Sequence, residues 1–153
     1  MMLKWWIDES RLLASSNPSD QGLAGLRAEG FDLAVSLLDR NKQPPRYDKK
    51  SAAIAGWAIY RIPIEEGATP SLVQVCEFTA LIGAVPKATK TLVFCESPSG
   101  RQAFMGAVYW IAKGLTVAAA TARVASSAGL GWKTEAGDEV LRKFEQLGWR
   151  IHA

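Results

Sequence analysis

The sequence predicts an α/β fold: a central sheet of four to five strands flanked by helices on both faces. Three observations carry that expectation. Short apolar runs alternate with helix-like segments along the 153 residues, the pattern of strands joined by helices in one layered domain. Two of those runs, Phe31 to Leu38 and Thr91 to Cys95, are almost continuously apolar, as strands covered on both faces are. The helical segments open on capping residues beside proline and close on glycine, each of which has a mechanical reason to stand there.

Taken in order, Lys4 to Ile7 and Arg11 to Ala14 read as short strands at a sheet edge. Asn17 caps a helix with Pro18 in its first turn; Leu23 and Leu26 face inward and Gly30 closes it. Phe31 to Leu38 is a buried strand. Asp39 to Ser51, with Pro44-Pro45 and several charges, reads as a loop and a mobile one. Trp57 to Ile64 is a further strand, and Glu65-Glu66-Gly67-Ala68 a turn. Thr69-Pro70 repeats the cap-then-proline start, with Leu72, Val75, Cys76 and Thr79 on one helical face. Thr91 to Cys95 is the next buried strand, followed by a Gly/Pro/Ser turn. Three helices finish the chain: Arg101 to Lys113, Val117 to Ala125 and Glu135 to Leu147.

Composition bounds the function. Apolar residues make up 48% and charged residues 22%, which excludes disorder, collagen-like repetition and a disulfide scaffold and gives one domain over residues 1–153. The net charge of +3 is too small to demand nucleic acid as a partner. The basic cluster Arg46, Lys49 and Lys50 is diluted by Asp48 and reads as a solvated segment. Cys76 and Cys95 are the two cysteines and His152 is the sole histidine, so zinc spacing is absent, no metal or other cofactor is expected, and a Cys-His or Ser-His-Asp mechanism has no placed base. No secretory leader is expected, because Lys4, Asp8 and Glu9 interrupt the start. Ala103 to Ala122 is apolar, but Lys113-Gly114 in its middle reads as a helix stop between two buried helices, not a membrane span. A cytoplasmic protein with no membrane partner is the expectation.

The informative stretch is Cys95-Glu96-Ser97-Pro98-Ser99-Gly100-Arg101. A cysteine ends a strand, and five residues later an arginine opens an apolar helix. Backbone N–H groups of such a turn converge on an anion, and the helix N-terminus adds positive potential. The same field favours thiolate over thiol. Arg101 can grip two phosphate oxygens with one planar fork. From spacing alone, a buried structural cysteine and a surface arginine explain the pair equally well.

Around this loop the chain resembles the cysteine-dependent tyrosine and dual-specificity phosphatases, whose signature is H-C-x-x-G-x-G-R followed by Ser or Thr. Gly30 to Leu38 is similar to that family's G-(F/I)-x-x-V-x-x-L strand, and Leu12 to Pro18 to its early strand and turn. Ile62-Pro63-Ile64-Glu65-Glu66-Gly67-Ala68-Thr69-Pro70-Ser71 resembles I-P-I-x-D-G-x-x-P-S, the loop bearing the general acid. Ala107 to Gly114 is similar to its A-x-Y-L-I-x-x-G helix. The resemblance implies a phosphomonoesterase working through a phosphocysteine on Cys95. Arg101 and the loop Glu96, Ser97, Pro98, Ser99 and Gly100 would hold the phosphate, and Glu66 would act as acid and then base. The implied substrates are phosphorylated proteins or small aryl phosphates, with inorganic phosphate or sulfate also fitting the loop, and no metal or cofactor is implied. The chain departs from the pattern at Phe94 (histidine in the family), Pro98 (glycine) and Gln102 (Ser or Thr), and it lacks the later Q-x-x-x-Q near Lys133 to Gly137. These changes imply weakened catalysis. Two other readings stay open: a pseudophosphatase that binds phosphate or phosphopeptide without turnover, and a rhodanese-like sulfurtransferase. Glu65-Glu66 favours hydrolysis over sulfur transfer. Trp5, Trp6, Trp57 and Trp110 are expected in the core, Trp132 there or at the pocket mouth, and Arg123 in a structural role.

Overall fold

The computed structural model describes residues 2–97, 100–128 and 138–151. Five strands form one mixed sheet: β1 (Lys4–Asp8), β2 (Leu12–Ser15), β3 (Leu33–Ser36), β4 (Ala58–Arg61) and β5 (Thr91–Phe94). Their spatial order is β1-β2-β5-β3-β4. β1 runs antiparallel to β2, while β2, β5, β3 and β4 are mutually parallel. The sheet edges are therefore β1 and β4. β2, expected at an edge, is interior because it pairs with β5 as well.

Each face of the sheet carries its own core. One packs against α3 (Leu72–Ala84), α4 (Gly100–Ala112), α5 (Val117–Ala128) and α6 (Asp138–Leu147); the other packs against α1 (Asp20–Ala28) and α2 (Lys49–Ile54). Alternation along β5 divides its side chains between them. Val93 and then Cys95 enter the first core, Leu92 and Phe94 the second. The expected α/β sandwich, with helices on both faces, is the structure observed.

Helix starts differ from the sequence reading in a consistent way. α1 is capped by Ser19, whose hydroxyl accepts from the Gly22 N–H, and α3 by Ser71, which forms a reciprocal capping box with Gln74. In both, the serine after the proline is the cap, so the proline and the polar residue before it lie outside the helix. Asn17 is instead a loop tie: its Nδ2 donates to the Pro44 carbonyl at 3.1 Å and its Oδ1 accepts from the Arg46 N–H at 3.3 Å. The segment read as a loop to Ser51 contains the start of α2, nucleated by Asp48, whose carboxylate accepts from the Ser51 N–H at 2.9 Å. Residues 37–48 remain irregular and are anchored by the buried side chains of Asp39, Gln43 and Tyr47.

α4 is buried along its length from Arg101 to Ala112. Gly106 lets it approach α5 and β1: a Cβ there would lie 3.2 Å from Val124 Cγ2 and 3.3 Å from Ile7 Cγ2. The helix stops at Gly114, whose φ of 109° terminates it as expected. Among the described residues no helix is long and apolar enough to cross a membrane. Trp57 and Trp110 are buried, the latter under the Arg123 guanidinium at 3.8 Å. Trp5 is only partly buried, and Trp6, also expected in the core, is exposed and stacks on Phe31. On α3 the inward face is Val75, Phe78, Thr79 and Ile82; Leu72 and Cys76 lie at its margin. Trp132 and the Lys133 to Gly137 segment fall outside the described residues.

Candidate active site

The carboxyl ends of the parallel strands converge on one end of the sheet, where open α/β sheets place their ligands. Cys95 follows β5 directly and is fully buried, its N–H donating to the Ser15 carbonyl at 3.4 Å. Its Sγ–H donates to the Ser97 carbonyl at 2.9 Å.

Arg101, the second residue of α4, is 7% exposed and reaches across the same end of the sheet. Its Nη1 donates to Gln43 Oε1 at 2.8 Å, to the Ile64 carbonyl at 3.2 Å and to the Leu37 carbonyl at 3.4 Å. Leu37 is bound in turn to the end of β5, its N–H donating to the Phe94 carbonyl at 2.8 Å. The arginine is thus fixed by segments that follow β3 and β4, beside the strand that presents the cysteine. It is a buried, oriented cation, not the surface residue that spacing alone also allowed.

Glu66 is exposed in the turn after β4, where Gly67 takes a φ of 80°. Its backbone N–H donates to Asp39 Oδ2 at 3.0 Å, while Asp39 Oδ1 accepts from the Asn41 N–H at 3.1 Å. These bonds, that from Glu66 first, hold the Asp39 carboxyl below the ordinary aspartate range against the opposing effect of burial. Asp39 is therefore an ionised anchor for the turn and poorly suited to donate a proton itself.

Both oxygens of the Glu96 carboxylate are bound: Oε1 accepts from Arg46 Nη2 at 2.8 Å and Oε2 from Asn17 Nδ2 at 3.3 Å, and the Arg46 guanidinium offsets part of its charge. Ser97 and Gly100 are exposed; Pro98 and Ser99 lie outside the described residues. Gln102 is fully buried and donates through Nε2 to the Ser15 carbonyl, tying α4 to β2. Phe94 meets Tyr47 edge-on at 5.9 Å in the second core, on the opposite sheet face from Cys95. Among the described residues no group of His, Cys, Asp and Glu could hold a metal.

Sequence reasoning missed Asp39 and Gln43, which it placed in a mobile loop. One signal was available: polar residues immediately after a strand buried on both faces stand where a ligand-binding end is built.

Three comparisons bear on this geometry. The family described as "DSP-PTPase phosphatase fused to NAD+ Kinase" matches residues 6–139. Tk-PTP in its active form is 26% identical, with a TM-score of 0.76, covering 94% of this chain and 96% of that one. Human DUSP28 (21% identity, TM-score 0.73, 94% and 93% covered) and PTPMT1 (17%, 0.80, 95% and 95%) share the fold. No individually curated protein matches.

Proposed function

Because the chain belongs to the family of DSP-PTPase phosphatases fused to NAD+ kinase, we propose that its cysteine-dependent phosphatase chemistry runs through Cys95, Arg101 and Glu66 on aryl phosphomonoesters such as phosphotyrosine. The observation that carries this reading is the buried Arg101, braced from the ends of β3 and β4 beside the strand that delivers Cys95. A buried guanidinium held in one plane is suited to grip the equatorial oxygens of a phosphoryl group.

In the first step the Cys95 thiolate attacks phosphorus, an S–P bond forms, and the P–O bond to the leaving group breaks. Glu66 gives its proton to the departing oxygen. In the second step Glu66, now a carboxylate, takes a proton from water, whose oxygen attacks phosphorus. The S–P bond breaks, releasing phosphate and the thiolate. Before the first step the Cys95 thiol gives its proton to solvent and with it the hydrogen bond to the Ser97 carbonyl, a change that the positive charge of Arg101 and the start of α4 favour. Glutamate reaches one methylene further than the family's aspartate, from a turn whose N–H is bound to Asp39. A cytoplasmic, reducing setting suits this chemistry, and Cys76 and Cys95 are not joined in a disulfide. Glu96, Ser97, Pro98, Ser99 and Gly100 form the loop proposed to carry phosphate.

The resting contact of Cys95 with Ser97 also favours a second reading, a module that binds phosphate without turning it over. Hydrolysis of p-nitrophenyl phosphate separates the two. Turnover by the chain that Cys95→Ser abolishes is the expected result. Phosphate binding with no turnover by the unmodified chain would establish the binding module. PTPMT1 has been solved in complex with PI(5)P, so a phosphoinositide belongs in the substrate panel beside phosphotyrosine peptides.

A further inference from the structure

Gln43 is 6% exposed, and its single carbonyl oxygen serves two donors: the Asp39 N–H at 3.0 Å and Arg101 Nη1 at 2.8 Å. The other oxygens that Nη1 meets, from Leu37 and Ile64, are backbone carbonyls. All three are neutral. The same loop carries a carboxylate four residues earlier, yet both Asp39 oxygens are taken by the N–H groups of Asn41 and Glu66. The loop thus applies its charged acceptor to the turn of Glu66 and a neutral amide to the arginine.

We infer that Gln43 is a positioning residue for Arg101 whose neutrality matters: its amide fixes the guanidinium plane without cancelling the charge that an incoming dianion needs. This rests on the reading of Arg101 as the anion-gripping group. A carboxylate in place of the amide would keep the shape and the accepting oxygen and add a negative charge. At roughly 7 Å from a bound dianion, and with an effective dielectric of about 20 to 40, that charge weakens anion binding roughly tenfold or more.

The test uses the full chain in a Cys95→Ser background, so that no thiolate titrates in the loop, with sulfate as the probe because it stays dianionic throughout. Sulfate affinity is measured by calorimetry from about pH 7 to pH 3.5 for Gln43, Gln43→Glu and Gln43→Met. Gln43→Glu is expected to weaken sulfate roughly tenfold or more at neutral pH. Affinity then recovers as pH falls below the ordinary glutamate value of about 4.3, because the guanidinium depresses the new carboxylate's pKa and protonation removes the charge. Gln43→Met lacks the acceptor but adds no charge; it is expected to weaken sulfate less and to show no recovery. Equal weakening by both variants at every pH, or unchanged binding in Gln43→Glu, overturns the inference. Should Gln43→Glu fail to fold, Gln43→Met decides in the chain that retains Cys95. A raised KM for p-nitrophenyl phosphate with kcat within a few-fold supports positioning, and an unchanged KM overturns it. Failure of the underlying reading looks different: the Gln43 parent would bind no sulfate and the unmodified chain would turn over no p-nitrophenyl phosphate.

Discussion

Replacing Arg101 by lysine keeps the positive charge and removes the planar fork. The guanidinium is anchored at Nη1 by Gln43, Leu37 and Ile64, which fixes the plane in which its other N–H groups lie. A lysine ammonium can meet those buried oxygens or a phosphate, but its single nitrogen cannot hold both ends at once. The loss is therefore at least one charge-assisted hydrogen bond to the phosphoryl group, about 1.5–3 kcal/mol. At about 1.4 kcal/mol per decade this lowers kcat/KM roughly 10- to 150-fold. A second cost falls on the fold. If the ammonium turns to the phosphate, buried acceptors lose their donor at about 1–3 kcal/mol, a fall in melting temperature of roughly 2–4 °C per kcal/mol for a chain of this size. The assay is steady-state hydrolysis of p-nitrophenyl phosphate with inorganic phosphate as a competitive inhibitor, alongside thermal melts. A loss below threefold in kcat/KM, or an unchanged inhibition constant for phosphate, would refute the assignment of Arg101 as the anion's holder.

Other consequences are equally direct. Glu66→Gln should lower kcat more for phenyl or alkyl phosphates, whose leaving groups need the proton, than for p-nitrophenyl phosphate; equal losses would remove Glu66 from the acid role. Asp39→Ala releases the Glu66 N–H and should reproduce that leaving-group selectivity in weaker form, while Asp39→Asn, which keeps an acceptor, should be milder; selectivity unchanged in both would dissociate Asp39 from the turn. Because the Asp39 carboxyl is held below its ordinary value, its stabilising effect is full above the unfolded aspartate range and fades as pH falls through the lower native value. Urea midpoints of the chain should therefore drop more steeply on acidification than those of Asp39→Asn. Gly106→Val forces atoms into space already bounded by Val124 and Ile7 and should destabilise by about 1–3 kcal/mol, read as a lowered urea midpoint.

The sandwich, the buried β5 and the helix stop at Gly114 are legible in the sequence because those features are encoded locally, by apolar runs and glycine. The helix starts of α1 and α3 read two residues early, since serine and its neighbours compete for the same orphan N–H groups and only the three-dimensional chain decides. The Asp39 to Ser51 stretch reads from its sequence as a loop. There the composition is polar, but Asp39 and Gln43 are buried polar groups satisfied by partners 27 and 58 residues away. No local pattern records a hydrogen bond of that span. The partners of Glu96 are likewise not legible, because one is Arg46, 50 residues distant.

The pleat of β5 also separates what neighbouring substitutions disturb. Position 95 faces the core shared with α3 and α4, and position 94 faces an oily layer shared with Leu13, Tyr47 and Leu92. Installing an imidazole at position 94 would exchange a phenyl ring for a group that demands hydration or a polar mate in that layer. An imidazole at position 94 would thus reach residue 95 through the backbone between them and not by side-chain contact across the sheet.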